Sequence, residues 1–425
     1  MPGCRGRGRG FQGGVGGPGA HRCGGPARAY GRAEPFDRLA TKTMKRIFVF
    51  IIFILAVFRP ASAHALEDEL VDAVRSTLGQ YDLSAWQESY GSLPVDVRSL
   101  WGYESAQELI SSYALGEGNL GEGLLKGLWE AAISAIRQGI GSLGTIIGVA
   151  LLIGLLDVML GEGQGNIKEI ATSLCYGVCV AALSGVMAAQ LSLAAGAVED
   201  ICKLLEALSP LLVTLLAAVG ATASAGMAQP LFIFLSGTVA KTVQSVLLPA
   251  VMSAGVLHIV GGLTGRKQME HIAATIKSFS KWMIGGITTV FLGSMALRGM
   301  SVGGVDSISF RTMKYALDKS LPLVGGVVAG SLDSVRGCTL LIKNAAGVGA
   351  VLIALGTVLT PLLRLAGMNL AFRITAALCA QISDERMPKM LNDLADICRY
   401  MFACVAAVAL MYVLTMGLVM ALGGV

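Results

Sequence analysis

The chain has 425 residues, of which 54% are hydrophobic and 14% are charged, and its mean hydropathy is +0.67. Soluble globular proteins carry roughly 25% charged residues, so this composition argues against an ordinary soluble enzyme and indicates a polytopic membrane protein. The formal net charge of +5 gives no sign of a nucleic-acid-binding domain, because residues 1–43 hold eight Lys/Arg and two Asp/Glu, which leaves 25 basic and 26 acidic residues in the rest.

Residues 1–43 contain 12 of the 55 glycines and show no hydrophobic periodicity, so they cannot form a core. A second start follows at Met44, where a positive MKR is succeeded by an apolar stretch and by an A-x-A-like cleavage site at 61–63. We therefore expect residues 1–43 to be a disordered, mis-assigned upstream extension and residues 44–63 to be a signal peptide. The alternative for the extension is an Arg/Gly-rich RNA-binding tail.

Residues 64–138 are the one sizeable soluble region, and a signal peptide before them predicts a small helical domain on the extracytoplasmic side. The region is rich in aromatic residues, among them Trp86 and Trp101. Aromatic side chains often anchor protein interfaces, so we predict that Trp86 and Trp101 dock a partner protein. The alternative is that both are ordinary core residues of the domain.

Residues 139–425 are predicted to form a multispan membrane domain, because apolar segments long enough to cross a bilayer recur along them. These segments are 139–160, 171–196, 207–226, 244–263, 282–298, 346–363 and 400–422. Two further segments, 229–240 and 365–382, are short or interrupted by charge and suggest re-entrant pieces. The predicted fold class is all-α: a polytopic helical membrane protein with about seven or eight crossings and a small extracytoplasmic helical domain.

Two groups of polar residues interrupt the later apolar segments. Arg311 and Lys314 share one face of a helix that we predict to begin near Ser307 and to end near Ser320. This face is a candidate for channel lining or for assembly.

The second polar group is a stripe, which we define as Asp333, Arg336, Lys343 and Asn344. In one helix at 100° per residue these four side chains fall within roughly a third of the circumference. Because a charge inside a bilayer costs ~3 kcal/mol, the stripe should face protein or water. It could line a conduit; alternatively, Asp333 pairs internally with Arg336 while Lys343 extends its ammonium to the membrane boundary.

The segment GGVDSISFRTMKYALDKSLPLVGGVVAGSLDSVRGCTLLIKNAAGVGA, residues 303–350, closely resembles the signature region of the stage III sporulation protein AE family of endospore-forming bacteria. A signal peptide, a short external helical domain, a multispan body and the terminal span CRYMFACVAAVALMYVLTMGLVM follow in that family's order. The resemblance covers residues 44–425, whereas the Arg/Gly-rich extension departs from the family pattern.

This resemblance implies a place in the assembly that joins mother cell and forespore, in the mother-cell-derived outer forespore membrane. It implies sibling proteins of the same operon as partners, including a ring-forming subunit and a secretion-type ATPase homologue, and a requirement for late forespore gene expression. It implies no catalytic residues and no cofactor. It leaves open whether copies of the chain form a homo-oligomer. Members of the family look somewhat like permeases.

Three function classes follow from these expectations. The first is a non-enzymatic membrane subunit of a sporulation channel or export apparatus. The second is an autonomous secondary transporter of a small solute, which apolar segments broken by Pro230, Pro249 and Pro361 would accommodate. The third, an intramembrane enzyme, is disfavoured because Asp157 is the clearest acid inside a span and has no evident partner. With three histidines after residue 63, namely His64, His258 and His271, the sequence also argues against a multi-histidine metal site.

Overall fold

The computed structural model describes residues 76–422, apart from 77, 80, 117–123, 161–164, 265–266, 321–324 and 382–385. Every regular element in these residues is helical, which confirms the all-α prediction for this part of the chain. The predicted upstream extension and signal peptide lie outside the described residues.

The described residues form eleven α-helices. They are α1 Ser84–Gly91, α2 Val95–Trp101, α3 Ala106–Ala114, α4 Leu124–Ser142, α5 Gly144–Leu160, α6 Gly165–Ala218, α7 Thr222–Ile233, α8 Leu248–Thr264, α9 Lys267–Ser320, α10 Gly325–Cys379 and α11 Arg386–Ala421. Two π-helical segments, Phe234–Ala240 and Val243–Leu247, join α7 to α8.

Helices α1 to α3 are short and are tied together by side-chain hydrogen bonds. Ser105 caps α3, since its hydroxyl oxygen accepts from the amide of Glu108 at 3.1 Å, and Glu108 in turn accepts from the amide of Glu104 at 2.9 Å. The Gln87 side chain of α1 accepts from the amide of Ala106 at 2.9 Å. These contacts hold α1 against the start of α3.

The three short helices pack against two glycines of α10, Gly349 and Gly356. A Cβ added at Gly349 would lie 2.9 Å from Leu109 Cδ2 and 3.4 Å from the ring of Trp86. One added at Gly356 would lie 3.2 Å from Trp101 Nε1. Seven residues separate the glycines, so they share a helix face two turns apart, and that face is flat enough to receive both indoles.

Helix α4 crosses α10 at an even closer point. A Cβ added at Gly367 would lie 2.8 Å from the backbone carbonyl carbon of Ala135, so only glycine fits at this position. Beyond residue 142 the chain bends by 43° into α5. The close contact at Ala135 thus lies about two helical turns before this bend.

Several helices are much longer than a membrane crossing requires. Helices α6 and α9 have 54 residues each and α10 has 55. At 1.5 Å per residue such a helix spans roughly 80 Å, whereas the hydrocarbon core of a bilayer is about 30 Å thick.

By length and composition, four stretches of the described residues could cross a membrane: Ser173–Ala218, Thr222–Gly262, Val335–Cys379 and Arg386–Ala421. There are five candidates if the bent pair Trp129–Ser142 and Gly144–Ile153 forms one broken span. The membrane character of the chain agrees with the prediction, but seven or eight crossings are not confirmed.

The number of candidate spans is lower than predicted because charged residues that the sequence placed between spans lie inside continuous helices. Segment 171–196 and the part of segment 207–226 up to Ala218 belong to one helix, α6, in which Lys203 Nζ lies 2.8 Å from Glu199 Oε1. Both side chains are more than half exposed, at 67% and 57%. An i,i+4 ion pair supports a helix, so this charged turn continues α6.

Two other predicted boundaries are also absent. Segments 346–363 and 365–382 share α10 up to Cys379, and the helix predicted to begin at Ser307 is the last part of α9. In both cases the residues at the predicted boundary lie within a continuous helix. The extracytoplasmic location of residues 64–138 stays a prediction.

Candidate functional site

Lys343 lies on the buried face of α10, and its side chain is fully buried. Its Nζ donates to the backbone carbonyl oxygens of Met420, at 3.0 Å, and Leu422. The carbonyl of Met420 belongs to the last turn of α11 and that of Leu422 follows directly after it, at the end of the helix where four carbonyl groups have no partner within the helix. Because the C-terminal end of a helix is partially negative, an ammonium is well suited to this position. Lys343 is therefore the C-terminal cap of α11.

Gly347, one turn after Lys343, permits this approach. A Cβ added at Gly347 would lie 2.3 Å from Met420 Cγ, too close to fit without a shift. The missing side chain brings α10 and the end of α11 together at the level where the lysine reaches the carbonyls. Tyr412 continues the contact, because its hydroxyl donates to the carbonyl of Ala350 at 3.4 Å.

The members of the predicted stripe differ in how far their side chains are exposed to solvent. Lys343 is buried, Arg336 is half-buried and Asn344 is exposed. The side chain of Asp333 is outside the described part, so an ion pair with Arg336 stays a prediction. Lys343 has carbonyl partners on another helix, a contact that neither sequence hypothesis included.

The other predicted site residues fall in two places. Arg311 and Lys314 lie in α9, but their side chains are outside the described part of the chain. Trp86 and Trp101 are 1% and 4% exposed and contact the α10 glycines within the same chain. This burial favours core packing for the two indoles, whereas docking of a partner stays a prediction.

A second polar region surrounds Asp396 on α11, and the sequence analysis did not single it out. Asp396 Oδ1 lies 3.2 Å from a guanidinium nitrogen of Arg373 on α10 and 3.2 Å from one of Arg399. One turn away, the Asn369 amide donates to the backbone carbonyl of Ala395. These contacts fix α10 against the first half of α11.

The same end of α11 also reaches α8 and α9. Asp393 Oδ2 lies 3.2 Å from Nδ1 of His258, and its Oδ1 lies 3.8 Å from Nζ of Lys277. Lys389 Nζ donates to Glu270 Oε1 at 2.6 Å. We define the polar layer as the residues of both regions: His258, Glu270, Lys277, Asn369, Arg373, Lys389, Asp393, Asp396 and Arg399.

The sequence did contain a signal for the polar layer. Asp393 and Asp396 stand at i and i+3 on a helix that continues directly into an apolar span, and His258 is a lone histidine in an apolar helix. Their partners are up to about 135 residues away along the chain, a distance at which periodicity alone predicts no pairing. Within the described residues no group of three or more His, Cys, Asp or Glu side chains could hold a metal ion.

The model of the family described as stage III sporulation protein AE matches residues 105–423. The chain belongs to the stage III sporulation protein AE family. That match includes Lys343, its partner Met420 and the whole polar layer, whereas Trp86 and Trp101 precede it. The predicted resemblance is thus confirmed.

One curated relative is the stage III sporulation protein AE of Bacillus subtilis strain 168. It is 24% identical to this chain over 300 residues, which cover 70% of this chain and 75% of the relative. No solved structure matches the chain. The family is described as a sporulation protein, so a sporulation role follows from membership.

Proposed function

We propose that this protein is a non-enzymatic membrane subunit of the channel or export apparatus that links mother cell and forespore. The observation that carries the proposal is the family match, which extends over residues 105–423 and therefore over the whole described helical body after α2. The four candidate spans in that body are consistent with a multi-pass membrane protein. In this proposal, late forespore gene expression and spore development require the apparatus.

The contacts of the described residues support a scaffold more than a pore lining. Lys343 is satisfied by the end of α11, and the polar layer connects α9 and α10 to α11 through ion pairs, while His258 of α8 lies 3.2 Å from Asp393 of α11. Polar groups that are paired between helices hold those helices at fixed positions. The stripe residue Asn344, which is exposed, is the described position best placed to meet water or a neighbouring subunit.

In this proposal the protein resides in the outer forespore membrane and contacts sibling proteins of its operon, among them the ring-forming subunit and the secretion-type ATPase homologue. Further copies of the same chain are a third possible neighbour. The exposed Val95 of α2, at 71%, and Trp129 of α4, at 69%, offer apolar positions on the surface for such contacts.

The alternative function is an autonomous permease-like transporter of a small solute. One observation favours it: the candidate span Thr222–Gly262 contains two π-helical segments beside a shallow, open pocket lined by Gly226, Gln229, Pro230, Ile233, Phe234 and Thr238. π-Helical turns occur frequently at functional sites. A broken span with a polar glutamine is the arrangement that transporters use at a substrate site.

Two experiments distinguish these functions. A photo-crosslinking residue at Val95 in sporulating cells should capture sibling proteins, while the same residue at the buried Leu109 should not. Purified protein reconstituted alone in vesicles should carry no solute flux above that of empty vesicles. Flux by the protein alone, abolished by Gln229→Leu but not by the exposed Gln268→Leu, would favour the permease instead.

A further inference from the structure

We propose that Lys241 and Asp200 join one copy of this chain to the next, head to tail, within the membrane. The two residues lie on the two arms of one hairpin. Helix α6 is its first arm, and α7, the two π-helical segments and α8 form its second arm. The proposal rests on the membrane location in the proposed function, and it does not depend on the channel role.

Lys241 and Asp200 lie at the same level of the hairpin. Residue 241 follows the start of α7 at 222 by 19 residues, and residue 199 precedes the end of α6 at 218 by the same number. One contact supports this alignment, because the side-chain amide of Gln244 donates to the backbone carbonyl of Ala195 at 3.1 Å. At 1.5 Å per residue, Asp200 and Lys241 therefore differ in level by about 2 Å.

Lys241 lacks an ionic partner within its own described chain. It is the only Lys, Arg, Asp or Glu between residues 222 and 262, a stretch long and apolar enough to cross a membrane. Its side chain is exposed, and the structure shows no ion pair to it among the described residues. A charged side chain in a span rarely faces lipid and usually pairs with an opposite charge. A partner from another molecule would satisfy it.

The first arm exposes an excess of acid at this level. Between residues 199 and 206, α6 carries three carboxylates and one ammonium, all exposed: Glu199, Asp200, Lys203 and Glu206. Lys203 Nζ lies 2.8 Å from Glu199 Oε1, so these two charges are already paired. In the described part of the chain Asp200 and Glu206 form no ion pair. The hairpin thus exposes unpaired acid on one arm and an unpaired cation on the other.

The two charges point to different sides of the hairpin. Ala195 faces the second arm at Gln244. Asp200 follows Ala195 by five residues, which turns it by about 140° around α6 and away from that arm. A contact between two different surface patches repeats head to tail, and copies in one membrane share orientation and depth. Lys241 of one copy can therefore meet Asp200 of the next copy at the same depth.

The surface around Lys241 suits a helix of a second copy. Ile233 and Val246 are exposed at 61% and 43%, so they offer apolar side chains that can pack beside the ion pair. Thr238 and Ser245 lie about one turn to either side of Lys241 and are also exposed. Both are small, so a neighbouring helix can approach closely. Charge complementarity and surface shape thus favour a second copy as the occupant.

The experiment is co-purification of two differently tagged copies of the full chain, expressed together in bacteria that lack the sibling proteins. Wild-type copies should recover each other. Lys241→Glu in both copies should lower this recovery several-fold, and so should Asp200→Lys in both copies, because like charges then meet. One Lys241→Glu copy expressed with one Asp200→Lys copy should restore recovery, because opposite charges meet again at each contact. That restoration also shows that both variants fold.

The matched control is Arg364→Glu, the same change of charge at an exposed cation of α10, which should leave recovery at the wild-type level. Failure of wild-type copies to co-purify, or wild-type recovery with Lys241→Glu in both copies, would overturn the proposal. The second result would assign Lys241 to water or to lipid headgroups instead. Because no sibling protein is present, neither result bears on the channel role, which the crosslinking at Val95 tests separately.

A second measurement applies if the charge variants do not fold. In a background without native cysteines, one tagged copy carries Lys241→Cys and the other carries Asp200→Cys. A short bifunctional thiol reagent should join the two tags in one product on a denaturing gel. Two copies that both carry a cysteine at the buried Leu212 of α6 should not be joined. Absence of the product with both tags would overturn the proposal.

Discussion

The ammonium of Lys343 lies 3.0 Å from the backbone carbonyl oxygen of Met420, so a charge in the middle of an apolar helix has its partner at the end of another helix. A second carbonyl, that of Leu422, shares the same ammonium. Charge-assisted hydrogen bonds of this kind are about twice as strong as neutral ones. The lysine is thus a stabilising contact of the α10–α11 pair.

The first prediction concerns Lys343→Met, which keeps the length of the side chain and removes the donor. The carbonyls of Met420 and Leu422 lose their partner, so the free energy of unfolding should fall by about 1–3 kcal/mol. Thermal unfolding in detergent and protease sensitivity of α11 measure the loss. Asn344→Leu, at the exposed neighbouring position, should change stability little. Equal stability of the two variants would show that the cap contributes nothing.

The second prediction tests whether the stripe faces water. In a background without native cysteines, a cysteine at Asn344 should react with a membrane-impermeant thiol reagent, whereas cysteines at Lys343 and Ile342 should react slowly because both positions are buried. A conduit lined by the whole stripe requires fast labelling at Asp333, Arg336, Lys343 and Asn344 alike. Fast labelling at Lys343 would therefore favour the conduit over the cap.

The third prediction concerns Gly347, whose missing side chain admits Met420. Gly347→Ala should push α11 away and weaken the Lys343 cap, with a cost of about 1–3 kcal/mol, typical of an overpacked contact. Met420→Ala added to it should restore most of the stability, because the colliding atoms are gone. Gly337→Ala on the same helix has open space around its Cβ and is the control. No rescue by Met420→Ala would contradict this geometry.

The fourth prediction separates the two roles considered for Trp86 and Trp101. As buried side chains against α10, each should cost about 3–5 kcal/mol when changed to alanine, seen as protease cleavage within α1 to α3. Trp86→Phe keeps most of the packing and should leave the domain folded. If Trp86→Phe nevertheless loses sibling proteins in pull-down, the indole contacts a partner and the docking prediction holds.

Composition and periodicity were sufficient to predict a helical membrane protein, because an apolar stretch in lipid must satisfy its own backbone. They were insufficient for the number of crossings. Glu199 and Lys203 look like a loop between two spans, yet they form an ion pair within α6. Because an i,i+4 ion pair supports a helix, a charged turn between two apolar segments does not by itself mark the end of a span.

The contact partners of the polar residues could not be predicted from the sequence either. Helical phase placed Lys343 beside Asn344, but one of these side chains is buried and the other is exposed. The partner of Lys343 is the backbone carbonyl of Met420, and a backbone carbonyl carries no sequence signature. Likewise nothing in the apolar segment around His258 indicates that Asp393 lies next to it.

The cap also has a consequence for the order of events during synthesis. Met420 follows Lys343 by 77 residues, so the ammonium leaves the ribosome long before the carbonyl that will accept its hydrogen bond. At a translation rate of about 5–20 residues per second the delay is on the order of 4–15 s. Throughout that interval the lysine has to stay hydrated, near lipid headgroups or inside the insertion machinery. The α10–α11 hairpin therefore closes late, and α10 must enter the membrane in a form that tolerates an unburied cation.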